Sequence, residues 1–525
     1  MTGGLIQLAA TGIQDIFLTR DPQITFFKIV YRRHTNFSTE PIRQDFIHKP
    51  DFKKKATCIV SKTGDLIGNI LLVIELPQIK EFFTSDGIDN LTKFAWVKKI
   101  GYAIINNIEI EIGGEIIDRH YGEWLNLWAE LTQKKNDGGL DKMIGNIPEL
   151  YNFSNGKDSY TLYIPLQFWF CRASGLALPI VCLQYTEVKI NVELNDFDKC
   201  HIITPSHFIE LENDFVNFEP YEYLQQDLNI NDSRFGLFSH FDIETKRMYY
   251  LKISSNNFEA NNISPNSKIR LNENFPFNII DNKDDQFNIY GTRTNKWVYP
   301  KIGTPDIPTK PYTYMFQKNR NFVIRDCYLI VDYIYIDEEE RNRFANTRHD
   351  YLIEQVQYSG EKIFDSPNNK INIDFLNPSK FIIWVIQQSF LLNPENNDFF
   401  NYTNSYQYDT NGNLMGETVL DSETLYLNSH ERLSTRNWAY FNYVQAYQNF
   451  SYDPNEGINI YSFALFPEKI YPSSTCNMSQ IDNSFIKFTT DPIINSQNKG
   501  RFRAYSFGYN IYRIVNGLGG IVFNS

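Results

Sequence analysis

Apolar and polar residues alternate in short runs along most of this chain, and runs at helical spacing are few. The clearest alternation sets Ile108, Ile110 and Ile112 against Glu109 and Glu111, with Gly113 and Gly114 following. A period of two ending on Gly-Gly predicts a strand and a two-residue hairpin turn. Residues 23–37 open the same way: Ile24, Phe26, Ile29 and Val30 are apolar, and Gln23, Thr25 and Lys28 polar. That run ends on the cationic cluster Tyr31, Arg32, Arg33 and His34, and Pro22 precedes it where a missing N–H costs no ladder bond. Further strands are expected over 56–60, 66–76, 161–170, 176–193, 247–253 and 325–336. In the second half they are expected over 371–375, 381–387, 424–427, 458–466, 484–490 and 511–515. Many short strands with turn signals and little helix point to an all-β sandwich or jelly roll.

Two stretches read as helix. Trp124, Leu125, Leu127, Trp128 and Leu131 give 121–131 an amphipathic pattern. In 337–348, DEEERNRFANTR, Asp337 stands four residues before Arg341, and Glu339 four before Arg343. On a helix each pair shares one face, worth about 0.2–0.5 kcal/mol, and the carboxylates sit near the positive helix N-terminus. A metal held by these carboxylates would need further ligands converging from elsewhere.

The two halves echo each other. The run 108–112, its Gly-Gly turn, Arg119 and Trp124 find a counterpart in 424–427, Asn428–Ser429, Arg436 and Trp438. LYIPLQFWFCRASG leads after a gap to Val188-Lys189-Ile190, and IYSFALFPEKIYPSST to Ile486-Lys487-Phe488. Two echoes in one order predict duplicated β-domains. Between them, 196–321 is richer in Asn, Asp, Pro and Ser, and reads as a large β-containing excursion late in the first domain.

Composition narrows the function. With 525 residues the chain is long enough for two or more cores. Aromatics are 15 %, a bias toward β-structure and large packed interfaces. A net charge of −12 argues against direct nucleic-acid binding, which depends on Lys and Arg. The Lys53–Lys55 and Lys134–Lys135 runs read as solvated turns. Six scattered cysteines without C-x-x-C spacing make no disulfide framework. No basic leader opens the chain, and no apolar run approaches the ~18–20 residues of a membrane span. The weakly apolar arm 1–22 is expected to dock, because Leu5, Ile6, Leu8, Ile13, Ile16 and Phe17 would otherwise lie exposed.

Candidate chemistry is thin. None of the eight histidines sits at zinc-ligand spacing, and His201 and His207 read as a surface pair flanking a proline. There is no nucleophile elbow or phosphate loop, and Gly517 to Gly520 read as a turn or close backbone approach. No catalytic residue, metal or cofactor is implied. A glycosidase carboxylate pair stays open, since it depends on a spatial separation that sequence does not display.

The opening Gly3-Gly4-Leu5, Gln7-Leu8, Gln14-Asp15, Leu18-Thr19, Pro22 to Lys28 and Tyr31 to Arg33 resembles the major capsid proteins of large nucleocytoplasmic DNA viruses. So do Gly175 to Pro179 with Leu183-Gln184-Tyr185, Val331-Asp332-Tyr333, Tyr351 to Gln355, Tyr461 to Leu465 and Gly517 to Gly520. One departure is Arg20-Asp21, where the family has Gly-Asn. The resemblance implies two tandem eight-stranded jelly rolls, divided as arm 1–22, first roll 23–336 with insertion 196–321, helical junction 337–350 and second roll 351–525. It implies a structural protein, not an enzyme: a homotrimer forming pseudo-hexagonal capsomers of an icosahedral shell. Its partners would be neighbouring capsomers, minor capsid proteins and penton proteins, with glycans on outer loops. Its place would be the virion capsid, after synthesis in the host cytoplasm. A scaffold or minor virion protein of the same fold, or a carbohydrate-binding β-sandwich protein, are the alternative readings.

Overall fold

The computed structural model describes residues 3–12, 15, 19–23, 33–81, 83–84, 87–88, 92–134, 138–229, 232–253, 258–259, 288–301, 307–308, 322–393, 396–405 and 416–523. The strand expected over 24–30 lies outside them.

Eight strands make a first roll: β1 (Phe37–Asp45), β2 (Lys55–Ile59), β3 (Leu66–Leu76), β4 (Ile105–Ile112), β5 (Glu115–Tyr121), β6 (Tyr160–Pro165), β7 (Val188–Leu194) and β8 (Asp326–Ile336). They pair antiparallel as two four-stranded sheets, β1-β8-β3-β6 and β2-β7-β4-β5. The second roll repeats the plan with β9 (His349–Phe364), β10 (Asn368–Asn372), β11 (Pro378–Gln388), β12 (Leu420–Leu427), the short pieces β13 (His430–Glu431) and β14 (Arg436–Asn437), β15 (Ile458–Ser462), β16 (Ser484–Thr490) and β17 (Gly500–Val515). Its sheets run β9-β17-β11-β15 and β10-β16-β12, with β13 and β14 both on β12. The echoed segments therefore occupy the same places: β4 matches β12, β6 matches β15, and β7 matches β16. The chain is a double jelly roll.

The hairpin turns confirm the match in detail. Gly113 and Gly114 have φ of 64° and 89°, and Asn428 and Ser429 have 50° and 65°. Two successive positive-φ residues are what a two-residue hairpin between twisted strands requires. At the start of the chain the positive φ falls on Asp21 (54°), a residue type that tolerates it, so Arg20 is spared.

Three helices lie along the line where the two rolls meet: α1 (Gly122–Thr132) after β5, the single turn α2 (Trp169–Arg172) after β6, and α3 (Glu338–Asn346) between the rolls. A fourth, α4, follows β14 as a π-turn over Tyr440–Val444 that continues as α-helix Gln445–Asn449. Between β7 and β8 the chain leaves the first roll. There His207–Glu210, Tyr223–Asn229, Asp232–Asp242, Arg247–Lys252, Ile289–Gly291, Lys296–Val298 and Ile307–Pro308 form a seven-stranded sheet. Its own core centres on Ile209, Leu224, Met248 and Tyr250.

Several expectations need correction. The strand foreseen over 161–170 stops at Pro165, and the chain turns inward to bury Phe168, Trp169 and Phe170. The one over 176–193 begins only at Val188, because Pro179 and two 3-10 turns interrupt it. The strand over 511–515 is the end of the sixteen-residue β17. His201 and His207 are buried, not a surface pair. His201 Nδ1 lies 2.8 Å from the Phe197 carbonyl, and His207 Nδ1 2.9 Å from Ser206 Oγ. Burial holds both imidazoles down at about 4. In the N-terminal arm, Leu5, Ile6 and Leu8 stay exposed on the single chain, so these three do not dock within it as expected, and Ile13, Ile16 and Phe17 lie outside the described residues.

Candidate functional site: the seam between the rolls

The four residues singled out at the junction do not pair along the helix. Asp337 is the N-cap of α3, and its Oδ1 accepts the Glu340 N–H at 3.0 Å. Arg341 turns away to Asp65 in the first roll, donating from Nε to Oδ1 at 2.7 Å and from a terminal nitrogen to Oδ2 at 3.0 Å. The Ile336 N–H also reaches Asp65, at 3.0 Å. Burial raises the Asp65 carboxyl, but the Arg341 and Ile336 hydrogen bonds outweigh it and hold it below its ordinary value. No ion pair joins Glu339 to Arg343 among the described residues; both are exposed. A forked guanidinium prefers a carboxylate it can grip with two parallel bonds. Asp65 offers that, and Asp337, folded back as a cap, does not.

The larger assembly of charge lies where the second roll meets the first. The strands β11 and β17 are buried on both faces. Ile382, Trp384, Phe502 and Ala504 point into the second roll's own core. Phe381, Ile383, Tyr505 and Phe507 point into the core shared with the first roll. Against that second face lies α1, whose Trp124 and Trp128 rings each sit 5.3 Å from Phe507. Gly122 starts α1 so close to the helical turn Ile100–Ala103 that an added Cβ would stand 2.1 Å from the Tyr102 carbonyl oxygen.

At the head of α1, Glu123 receives Arg503 from β17 in a forked pair, at 2.7 Å on each carboxylate oxygen. Tyr402 and Tyr505 also donate to Glu123, at 3.0 and 2.7 Å. Arg503 further donates to Gln387 at 2.6 Å and to Glu361 at 3.2 Å. Burial alone would lower the Arg503 guanidinium, but the Glu123 carboxylate overrides it and the net shift is upward.

A second cluster sits beyond α2. Glu354 of β9 accepts from Arg172 of the first roll and, at 2.5 Å, from Lys380. Side-chain exposure is 9 % for Arg172, 1 % for Glu354 and 0 % for Lys380, so two cations share one carboxylate out of water. Backbone carbonyls take one further donor from each: Glu468 from Arg172 at 3.0 Å, and Lys469 from Lys380 at 2.8 Å. Aromatic faces add to this, with the Arg172 guanidinium 4.5 Å from the Trp128 ring and the Lys380 ammonium 5.2 Å from Tyr509. Burial still holds Lys380 below the ordinary lysine value, against the upward pull of Glu354. Polar contacts extend the seam. The Val356 N–H donates to Asp118 Oδ1 at 3.0 Å, and Asn455 donates to Glu130 at 3.0 Å.

Arg503 with Glu123 and Arg172 with Glu354 pair opposite charges across the two rolls, which makes the seam a lock. Its geometry fixes how one roll faces the other. Sequence reasoning missed it because Glu123 and Arg503 are 380 positions apart. One signal was available: the unbroken apolar run Phe381 to Ile386 reads as a strand buried on both faces.

Two sheets in the same strand order, repeated and locked side by side, define a double jelly-roll protein. Comparison with known proteins carries this further. The family profile for the major capsid protein N-terminus matches residues 25–226, and that for the large eukaryotic DNA virus major capsid protein matches 340–520. The chain is 42 % identical to probable capsid protein 4 of Acanthamoeba polyphaga mimivirus, over the full length of both. It is 32 % identical to the major capsid protein of Pyramimonas orientalis virus, again over both full lengths. Among solved structures, a chain of the PBCV-1 virus capsid superposes with a TM-score of 0.60 at 24 % identity, covering 95 % of this chain and 100 % of that one. The Faustovirus major capsid protein gives 0.63 at 11 % identity, over 96 % and 94 %. The chain belongs to the major capsid proteins of large eukaryotic DNA viruses.

Proposed function

We propose that this protein is the main structural subunit of a virus shell, and that three copies close into a pseudo-hexagonal capsomer that tiles an icosahedral capsid. The observation that carries the reading is the seam: charge clusters and stacked rings hold two like rolls in one fixed orientation. Buried ion pairs add little net stability over apolar packing but are costly to misalign, so they suit a device that specifies geometry. A rigid pair of rolls contributes two of six sides, and three such pairs complete a ring by rotation. The chain divides for this purpose into arm 1–22, first roll 23–336, junction 337–350 and second roll 351–525, with β9 starting slightly early at His349. The insertion 196–321 projects from the outer face, where glycans would also sit on exposed loops. The protein acts by assembly rather than catalysis. It meets neighbouring capsomers, minor capsid and penton proteins, and is made in the host cytoplasm. Light scattering on a sizing column tests the reading: the expected mass is about three times 61.6 kDa and stable on dilution. A monomer at every concentration would overturn it.

A further inference from the structure

Three polar side chains of the first roll converge beside the second half of α1, and neither charge cluster includes them. Lys99 stands directly before the helical turn Ile100–Ala103, and Asn126 and Glu130 lie one turn apart on α1. A spacing of four puts both on one face of the helix. The Lys99 ammonium donates to Asn126 Oδ1 at 2.8 Å and to Oε1 of Glu130. Asn126 is 1 % exposed, and the side chains of Glu130 and Lys99 are 6 % and 20 % exposed. An amine, a carboxamide and a carboxylate thus meet largely out of water.

Two further features are not what a plain buried ion pair needs. Lys99 has a φ of 51°, a left-handed conformation that a lysine adopts at a cost. The Tyr102 and Ala103 N–H groups fix it by donating to the Lys99 carbonyl at 2.9 and 3.1 Å. Strain of this kind persists where the surroundings over-determine it, and it concentrates at functional sites. The second feature is Glu130 itself. Its Oε1 accepts from Lys99 and, at 3.0 Å, from Asn455 of the second roll. Its Oε2 is buried and accepts no hydrogen bond among the described residues. A buried acceptor left open is destabilising in a purely structural pair, but it leaves the carboxylate an oxygen on which to carry a proton.

We propose that Lys99 and Asn126 become joined by an isopeptide bond, with Glu130 as the proton carrier. Glu130 takes a proton from the Lys99 ammonium and leaves a neutral amine, the form in which a desolvated lysine is nucleophilic. The Nζ lone pair attacks Asn126 Cγ, and the Nζ–Cγ bond forms. Glu130 passes its proton to Nδ2, the Cγ–Nδ2 bond breaks, and ammonia departs. The proton that Nζ sheds as the amide forms returns to Glu130 and leaves with the ammonia as ammonium. One lysine ammonium and one carboxamide become one secondary amide and one ammonium ion, with no oxidant or other reactant. An amide resists a free amine in water, but an amine held against it reacts as part of the same molecule. The partly exposed Lys99 side chain marks the way out for ammonia. The product ties α1, which carries Trp124, Trp128 and Glu123 into the seam, covalently to the turn before β4.

Intact mass under denaturing conditions, with tandem mass spectrometry of tryptic peptides from the full-length chain, tests this. The expected result is a loss of about 17 Da, the mass of one ammonia, and a branched peptide joining the Lys99 segment, uncut after Lys99, to the Asn126 segment. Lys99→Arg keeps the positive charge and Glu130→Gln keeps the shape. Both are expected to restore the full sequence mass and two separate peptides. A wild type at full sequence mass, with the two peptides separate, overturns the inference and leaves an ion pair only. An ammonia loss that persists in Lys99→Arg also overturns it, since that loss arises at another amide. A link that forms in Glu130→Gln as completely as in wild type overturns the part given to Glu130. The wild type alone decides whether the bond exists, so a variant that fails to fold cannot shelter the proposal.

Discussion

Replacing Glu354 with Gln removes the carboxylate that Lys380 and Arg172 share in the seam. The side chains of Glu354 and Lys380 are 1 % and 0 % exposed, so water cannot replace the lost charge. Removing one member of a buried pair typically costs about 3–5 kcal/mol, because the remaining ion stays desolvated. Unfolding entropy scales with length, so a chain of 525 residues shifts by about 1 °C per kcal/mol, and the loss is roughly 3–5 °C in melting temperature. The loss has a pH signature. Burial already holds Lys380 below its ordinary value and Glu354 pulls it upward, so losing Glu354 lowers it further. With the folded value below the unfolded one, the unfolded chain binds more protons, and stability rises with pH. The deficit of the variant therefore shrinks as pH climbs from about 7 toward the unfolded lysine value of about 10.4. Thermal melts of wild type and variant across that range measure it. A deficit under about 1 kcal/mol, as at an exposed pair, or one that grows with pH, would refute the reasoning.

Three other sites give outcomes of their own. Glu423 is buried, the Trp384 indole N–H is the one donor on its carboxylate among the described residues, at 2.5 Å, and burial pushes it up to about 8. Its folded state keeps a proton the unfolded state has lost, so wild-type stability falls as pH rises from about 4.3 to about 8, and Glu423→Gln flattens that slope in the same melts. Asn401 heads a glycosylation sequon, but it is fully buried and donates to Ser405 O and Asp398 at 2.9 Å. Peptide mass spectrometry should find no glycan there, whatever occupies the exposed Asn36, Asn152 and Asn477. Gly122→Ala would force a Cβ onto backbone at 2.1 Å, which cannot yield as a side chain can. Its expected cost exceeds the ~1–3 kcal/mol of ordinary overpacking, measured as loss of soluble folded protein or a large drop in the melt.

How much the sequence revealed depends on how local each signal is. The alternation 108–112 and its Gly-Gly turn specify β4 and the hairpin by themselves, and the same holds for 424–427 with Asn428–Ser429. The cap at Asp337 is equally local. The partner of Arg341 was not legible, because Asp65 is 276 residues away and reaches it only once β3 and β8 pair. The strand β17 was seen only at its end, because its outward residues include Arg503 and Tyr505, whose polar atoms are satisfied across the seam and hide the apolar burial. α4 was missed for a related reason: its exposed tyrosines and buried Asn442 and Gln445 blur the helical pattern.

The central claim is that two locked rolls act as one rigid unit in a ring of three. Electron cryomicroscopy of the purified assembly tests it most directly. The account predicts six rolls around a threefold axis. Chains joined through the insertion, or rolls of one chain swung apart at the seam, would contradict it.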